Sequence, residues 1–130
     1  MDTLHCTQFE VRDYECDIQG IVNNSVYLNY LEHARHKFLS SRGIDFTALA
    51  LNNINLVVIR AEVDYKRSLR SKDEFFVTTQ VKKQSRLKFN FQQKIIRRHD
   101  NAIILDACIT GTSIDQNGKP LIFKELDALL

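Results

Sequence analysis

Residues 17–35 read DIQGIVNNSVYLNYLEHAR, and this stretch decides the fold because its second half begins a long amphipathic helix. Apolar side chains recur at three- and four-residue intervals from about residue 25 to residue 42, which is the spacing of one helical face. They are Tyr27, Tyr30, Leu31, Ala34, Phe38 and Leu39. Asn23 or Asn24 suits the N-cap, and Gly43 suits the left-handed position that closes a helix. At about 1.5 Å per residue this helix is roughly 27 Å long, which is enough to cross a small sheet.

The sequence around this helix changes to a period of two, which indicates half-buried β-strands. The clearest strand has Leu87, Phe89, Phe91, Gln93 and Ile95 on one face. Similar alternation predicts strands over residues 3–14, 56–67, 74–84 and 102–115, and a short last strand after the turn at residues 115–120. In the second of these the alternating residues are Val57, Ile59, Ala61, Val63 and Tyr65. With a short helical segment over residues 45–51, we expect an α+β domain in which an antiparallel sheet wraps around one long central helix.

Composition is consistent with a single domain over residues 1–130. The chain is 44% hydrophobic and carries a formal net charge of +2, which gives no reason to expect a nucleic-acid partner. Its apolar runs are far shorter than the ~20 residues of a membrane span, and the N-terminus has no charged and then apolar leader. We therefore expect a cytoplasmic protein with no membrane partner. The three cysteines are odd in number and widely spaced, so we expect reduced thiols.

Asp17 and Gly20 form a turn-like segment directly before the predicted helix. The free backbone N–H groups of a helix's first turn favour negative charge, and a carboxylate that shares a site with them provides what acyl transfer needs. Taken alone, an aspartate here is more often a turn former, and Gly20 only a turn glycine. Tyr27 is equally a core aromatic or the wall of an acyl pocket, and the two roles are compatible.

The segment over residues 11–43, followed by the predicted sheet, resembles the hotdog-fold acyl thioesterases of the 4-hydroxybenzoyl-CoA thioesterase superfamily. The likeness is greatest to the branch that includes plant plastid acyl-acyl-carrier-protein thioesterases. Their motif also reads aspartate, two residues, glycine, an apolar pair, two asparagines and, further on, a tyrosine. The resemblance implies that Asp17 is the catalytic carboxylate and that the backbone N–H of Asn24, with help from Asn23, forms the oxyanion hole. Many bacterial members carry tyrosine and histidine at those two positions, so a backbone donor carries over but a side-chain role does not.

The activity that this resemblance implies is hydrolysis of an acyl-CoA or acyl-acyl-carrier-protein thioester to acid and thiol, without a cofactor. Asp17 either attacks the carbonyl or draws a proton from water, and the sequence leaves both routes open. Because acyl pockets of this fold generally lie between protomers, a homodimer or homotetramer is implied. One alternative is a hydratase or dehydratase on a 3-hydroxyacyl thioester, which relies on a histidine supported by a carboxylate. Another is a non-catalytic acyl-thioester-binding module, whose mark would be loss of the carboxylate at position 17.

Lys66, Arg67, Arg70 and Lys72 form a basic cluster at the end of the strand predicted over residues 56–67 and in the turn that follows it. They offer cations for the phosphates of coenzyme A or for the acidic face of a carrier protein. A solvated surface explains them about as well.

Two other residue patterns are weaker candidates for chemistry. His33 and His36 are three residues apart on the predicted helix, but without a third convergent ligand such a pair is more often a surface feature, so we expect no metal site. Cys16 directly precedes Asp17, yet the sequence indicates no histidine partner that would activate it as a nucleophile.

Overall fold

The computed structural model describes residues 4–122 and residue 124. Strand β1 (His5–Glu10) is followed by a single 3₁₀ turn (Asp13–Glu15), helix α1 (Asn24–Ser41) and helix α2 (Phe46–Leu51). The strands β2 (Asn55–Tyr65), β3 (Glu74–Lys83), β4 (Lys88–Arg97) and β5 (Ile103–Ile114) complete the fold. They form one antiparallel sheet in the order β1-β3-β4-β5-β2. The α+β architecture with one long helix against an antiparallel sheet is confirmed.

Helix α1 has the limits and the buried face that its sequence predicts. Asn23 is the N-cap, and its Oδ1 accepts a hydrogen bond from the backbone N–H of Ser25 at 3.0 Å. Gly43 follows the C-terminus with a φ of +81°, a left-handed conformation that costs glycine little. The buried side chains of the helix are those of the predicted stripe: Tyr27, Tyr30, Leu31, Ala34, Phe38 and Leu39.

One face of the sheet packs against α1 through aromatic and amide contacts. The ring of Phe38 lies 6.4 Å from that of Phe91 on β4, in an edge-to-face arrangement. Gln93, on the same strand, is buried and donates from Nε2 to the carbonyl oxygen of Leu31 at 3.0 Å. The side chain of Gln93 thus links the backbone of α1, at the carbonyl oxygen of Leu31, to the middle of the sheet.

The first strand is shorter than the predicted 3–14. β1 ends at Glu10, and the chain turns because the backbone N–H of Arg12 bonds to the Glu15 carboxylate at 2.8 Å while Asp13–Glu15 forms the 3₁₀ turn. The strand ends earlier than its alternation predicts because a local side-chain acceptor competes with strand pairing.

The single alternating face predicted for Val57 to Tyr65 is also wrong in detail. Val58 pairs with Gly111 and Arg60 with Thr110, so Ile59 is an extra residue in a β-bulge. The bulge moves Val58 onto the face that carries Ala61, Val63 and Tyr65, which a fixed period of two does not allow.

The end of the chain is described only in part. Within residues 4–122 and 124, a single bridge between Ile114 and Pro120 is all that is present of the predicted last strand, and the positions after residue 122, except 124, lie outside the described residues. Neither helix of this described part has the length and apolar character needed to cross a membrane.

Candidate active site

Asp17 begins a tight turn at the tip of a small hairpin directly before α1. Cys16 and Val22 pair as an antiparallel bridge, and the N–H of Asp17 donates to the carbonyl oxygen of Ile21 at 2.8 Å. Gly20 closes the turn with a φ of +80° and donates its N–H to the carbonyl oxygen of Asp17 at 2.9 Å. A Cβ at Gly20 would meet no atom within 4 Å, so this position requires glycine for its backbone angle rather than for space.

The Asp17 side chain is exposed and has one oxygen engaged. Oδ1 accepts a hydrogen bond from the N–H of Gln19 at 2.8 Å, so Asp17 is a turn former as well as a candidate for catalysis. Oδ2 forms no hydrogen bond or ion pair within residues 4–122 or 124. The turn bond therefore fixes the carboxylate while leaving one oxygen available to a reacting group.

The N-terminus of α1 offers one free backbone donor. The N–H of Asn23 donates to the carbonyl oxygen of Glu15 at 3.1 Å, and its side-chain oxygen is occupied by Ser25. The N–H of Asn24, by contrast, meets no acceptor in the described part of the chain. Of the two asparagines, Asn24 is thus the one whose N–H is open to a ligand, beside the positive end of the helix dipole.

Tyr27 holds the loop that borders the hairpin. Its side chain is 2% exposed, and its hydroxyl oxygen accepts a hydrogen bond from the N–H of Leu69 at 2.9 Å. The carbonyl oxygen of Leu69 in turn accepts from the N–H of Val22 at 2.9 Å. Burial raises the pKa of the Tyr27 phenol, which stays protonated. Tyr27 is therefore a core aromatic, one of the two roles expected for it.

The basic cluster lies in the loop that pairs with the hairpin. Lys66, Arg67, Arg70 and Lys72 are all exposed, and none forms an ion pair with another residue in 4–122 or 124. Arg70 forms a backbone bridge with Ile21, one residue from Gly20. The fold thus brings Arg70 of this cluster next to the hairpin, on the strand that contains Ile21 and Val22.

Two residues of this site were not found from the sequence. Glu15 is a half-buried carboxylate that joins the hairpin to the helix, and the available signal was its position three residues after Arg12, as in a capping box. Tyr65, at the end of β2, lies with its hydroxyl 3.4 Å from the carbonyl oxygen of Asn24. Tyr65 lies close to Asn24 because of the order of the strands in the sheet, which no local sequence pattern predicts.

The other candidate residues are placed away from such chemistry. Burial and the nearby carboxylates, including Asp13 and Asp17, raise the pKa of the Cys16 thiol, which disfavours the thiolate. His33 packs edge-on against Phe9, with ring centroids 5.5 Å apart. Among the described residues, no three His, Cys, Asp or Glu side chains are grouped so as to hold a metal ion.

Comparison with known proteins places this fold in a class. The solved structure of Slr0204, a 1,4-dihydroxy-2-naphthoyl-CoA thioesterase from Synechocystis, matches with a TM-score of 0.91 at 16% identity, covering 97% of this chain and 94% of the other. The sheet order and the long helix are accordingly those of a hotdog fold. The chain also matches the sequence model of the Thioesterase-like superfamily over residues 11–128. It belongs to that superfamily.

Two relatives are similar to this chain in sequence over most of its length. A protein of Arabidopsis thaliana named acyl-acyl carrier protein thioesterase ATL3, chloroplastic, is 33% identical over 93% of this chain. The chain spans 64% of that relative's length. A protein of Escherichia coli named long-chain acyl-CoA thioesterase FadM is 31% identical over 84% of this chain and 82% of its own.

Proposed function

We propose that this protein hydrolyses an acyl-CoA or acyl-acyl-carrier-protein thioester to a free acid and a thiol. The observation that carries the proposal is that an exposed carboxylate, Asp17, is fixed on a hairpin that leads directly into the helix N-terminus with the free N–H of Asn24. The names of the plant and bacterial relatives, one for each carrier, support the substrate class.

The chemistry requires little more than these two groups. A thioester carbonyl is electrophilic, and as its carbon is attacked its oxygen gains negative charge that the Asn24 N–H stabilises. A single donor of this kind is typically worth about 2.7–4 kcal/mol of barrier. Asp17 acts either as general base, taking a proton from the attacking water, or as nucleophile, forming an acyl anhydride that water then hydrolyses. In both routes the C–S bond breaks and the thiolate leaves to take up a proton.

The alternatives fit the arrangement less well. A hydratase needs a histidine supported by a carboxylate, and the pair of that kind on α1 is His36 with Glu32, 3.9 Å apart. At about 1.5 Å per residue, His36 lies about 18 Å along the helix from Asn24. The mark of a non-catalytic module would be loss of the carboxylate at position 17, and this chain has an aspartate there.

The basic cluster of Lys66, Arg67, Arg70 and Lys72 would bind the carrier end of the substrate. The loop that carries these cations pairs with the hairpin through Arg70. When the thioester carbonyl is bound at Asn24, the phosphates of its carrier would extend towards them. Exposed cations of this kind attract phosphate groups and acidic surfaces mainly over a Debye length of about 8–10 Å.

The functional unit would be a homodimer, or a homotetramer built from two such dimers. β2 lies at the edge of the sheet, runs for 11 residues and leaves Val58 and Ile59 about half exposed, at 53% and 48%. A long sheet edge with exposed apolar side chains such as Val58 and Ile59 is normally covered, and antiparallel pairing of β2 with its copy would cover it in an isologous interface. The acyl pocket would then lie between protomers. A cytoplasmic location stays a prediction, since the plant relative is named as chloroplastic.

A hydrolysis panel tests the proposal. Acyl-CoA and acyl-carrier-protein thioesters of short, medium and long chains, with aryl and 3-keto forms, are assayed for thiol release. We expect turnover on at least one carrier at a rate far above spontaneous hydrolysis. Thiol release at the spontaneous rate with every substrate would rule the proposed function out.

A further inference from the structure

We propose that the groove between the C-terminal half of α1 and the sheet binds a short alkyl carboxylate, whose head pairs with Arg35 and whose tail lies on the apolar lining of the groove. At 1.5 Å per residue, Arg35 lies about 16 Å along the helix from Asn24, so this site is separate from the proposed catalytic groups. The inference concerns a second ligand and does not depend on the proposed thioesterase activity.

The groove combines apolar walls with a few charged side chains, and its volume is about 80 Å³. Its largest apolar side chains come from α1, β2 and β4 and are Leu39, Leu56, Phe89 and Phe91. Its charged side chains all come from α1 and are Glu32, Arg35 and His36. Apolar walls with a small number of polar groups are the usual composition of a site for a small molecule.

Arg35 is the charged group of this groove that has no countercharge. Its guanidinium is half-buried and donates from Nη1 to Gln93 Oε1 at 3.1 Å. Within residues 4–122 and 124, its other N–H groups form no hydrogen bond and it forms no ion pair. Glu32, three residues earlier, is instead 3.9 Å from the His36 imidazole. Burial lowers the pKa of Arg35, and the nearby Glu32 opposes this only in part.

Gln93 holds the guanidinium in place but cannot neutralise it. Its Nε2 donates to the carbonyl oxygen of Leu31 at 3.0 Å and to Thr79 Oγ1 at 3.1 Å. Because both amide hydrogens are used, the acceptor Oε1 faces Arg35, and this acceptor is uncharged. A half-buried cation with a neutral partner is stabilised by an added anion. The planar guanidinium suits a carboxylate in particular, since it can bond both oxygens at once.

The volume of the groove limits the ligand to a short tail. An apolar cavity of about 150 Å³ admits benzene, so the groove takes roughly half as many carbons, about three. With the carboxylate at Arg35, this size corresponds to propionate or butyrate. An affinity in the millimolar range is expected for so small a ligand. Each methylene added between acetate and butyrate should strengthen binding about fourfold.

Thermal melting of the full chain with small acids tests the inference. The wild type is melted with sodium butyrate, sodium acetate, sodium chloride or butyramide, each at about 30 mM. We expect butyrate to raise the melting temperature by about 2 °C or more relative to chloride, because a ligand that binds only the folded state stabilises it. Acetate should have a smaller effect. Butyramide, which has nearly the same shape without the charge, should have none.

Two arginine variants separate this site from general effects of charge. Arg35→Met keeps an apolar stem of similar length and removes the charge. Arg98→Met removes the same charge at an exposed arginine just beyond the far end of β4, and is the matched control. We expect the butyrate effect to be lost in Arg35→Met and retained in Arg98→Met.

Heteronuclear NMR of the wild type provides a measurement that needs no variant. Butyrate should move the Nε–H resonance of Arg35 and the methyl resonances of Leu39 and Leu56, which line the groove. If Arg35→Met does not fold, this spectrum decides.

Three outcomes would overturn the inference. The first is a wild type that melts at the same temperature in butyrate and in chloride. The second is a folded Arg35→Met protein that keeps the butyrate effect, which would place the carboxylate elsewhere, such as at Asn24. The third is an NMR spectrum in which butyrate leaves the groove resonances unmoved. Absence of thioester hydrolysis is a different result, because it would remove the proposed function and leave this site untouched.

Discussion

Tyr30 of α1 donates its hydroxyl hydrogen to Oε1 of Glu15 at 2.7 Å, two residues before Asp17. The same oxygen accepts the N–H of Arg12, and the Glu15 carbonyl oxygen accepts the N–H of Asn23. Burial, and then the bond to Glu15, raise the pKa of Tyr30, so this phenol remains a donor at any physiological pH. Glu15 therefore holds the chain segment that precedes Asp17 against α1, both at Tyr30 and at the start of the helix.

Replacing Asp17 by asparagine tests the proposed catalytic role. Asparagine keeps the shape and the oxygen that accepts the Gln19 N–H, so we expect the hairpin, the melting temperature and the assembly to be retained. Loss of a general base should lower kcat by about 10²–10⁴, and loss of a nucleophile by more. The measurement is kcat on the best panel substrate. Wild-type turnover by a folded Asp17→Asn protein would show that Asp17 is only a turn former.

Tyr30→Phe tests whether the bond to Glu15 positions the hairpin. Removing the hydroxyl should cost about 1 kcal/mol of unfolding free energy. It should also lower kcat about tenfold with little change in KM, because a small displacement of Asp17 from its reactive position lowers the rate of the chemical step. Thr110→Val, which removes the bond to Asn90 Oδ1 on the far face of the sheet, is the matched control and should affect stability alone.

The Glu15 variants separate positioning from direct catalysis. Glu15→Gln keeps a carbonyl oxygen for Tyr30, so we expect its kcat to stay closer to that of the wild type than the kcat of Glu15→Ala. If the two variants lose activity equally while remaining folded, Glu15 does not act through this hydrogen bond.

Alanine at Lys66, Arg67, Arg70 and Lys72 tests the carrier-binding role. Lost attraction for phosphates should raise KM several-fold with kcat nearly unchanged, and the defect should shrink at high salt as screening removes the same attraction from the wild type. Lys88→Ala, at an exposed lysine at the start of β4, is the control for each single alanine variant, since it also removes one positive charge. If the variant with all four residues replaced by alanine has the KM of the wild type, the cluster does not bind the carrier.

Sedimentation tests the assembly through β2. The wild type should sediment as a dimer or tetramer, and Ile59→Lys should shift it towards monomer because a charge would lie in the paired edge. Leu51→Lys, at a leucine that is 80% exposed on α2, should leave the assembly unchanged. A fully active wild-type monomer would exclude the proposed dimer.

His5 makes the stability of the fold depend on pH. Its ring packs edge-on against Phe38, Nδ1 has no hydrogen-bond partner within the described part of the chain, and burial, with Arg42 nearby, lowers its pKa. As the pH falls through the ordinary value of 6.5, the unfolded chain binds a proton that the folded chain does not yet bind. The free energy of unfolding should therefore decrease below that pH.

Urea denaturation between pH 5 and 8 measures this effect. His5→Gln should weaken the dependence, whereas the contribution of His36, whose pKa burial also lowers, is common to both proteins. Identical pH slopes for the wild type and His5→Gln would remove His5 as the cause.

The sequence predicts this fold well where a single pattern controls the structure. The stripe from Tyr27 to Leu39 defines the helix face because helical spacing and burial agree. Ile59 lies off the predicted face because the bulge depends on the pairing of β2 with β5. β1 ends at Glu10 because the carboxylate of Glu15, five residues later, accepts the N–H of Arg12. Such features depend on distant partners, which a period along one segment does not contain.

The candidate site was predictable in part. Asp17, Gly20 and the helix start are contiguous, so a motif contains them. The links that position them, from Tyr30 to Glu15 and from Leu69 to Tyr27, join residues that are 15 and 42 positions apart. These hydrogen bonds can be recognised only from the folded arrangement of the hairpin and the helix.

The strand order also has a consequence in time. β2 has β5 as its partner, and about 40 residues separate the end of one from the start of the other. At a synthesis rate of about 5–20 residues per second, β2 waits about 2–8 s on the ribosome as an unpaired apolar strand. Closing the sheet through so distant a pairing is also intrinsically slow. The nascent chain therefore carries β2 without its sheet partner throughout the interval before β5 emerges.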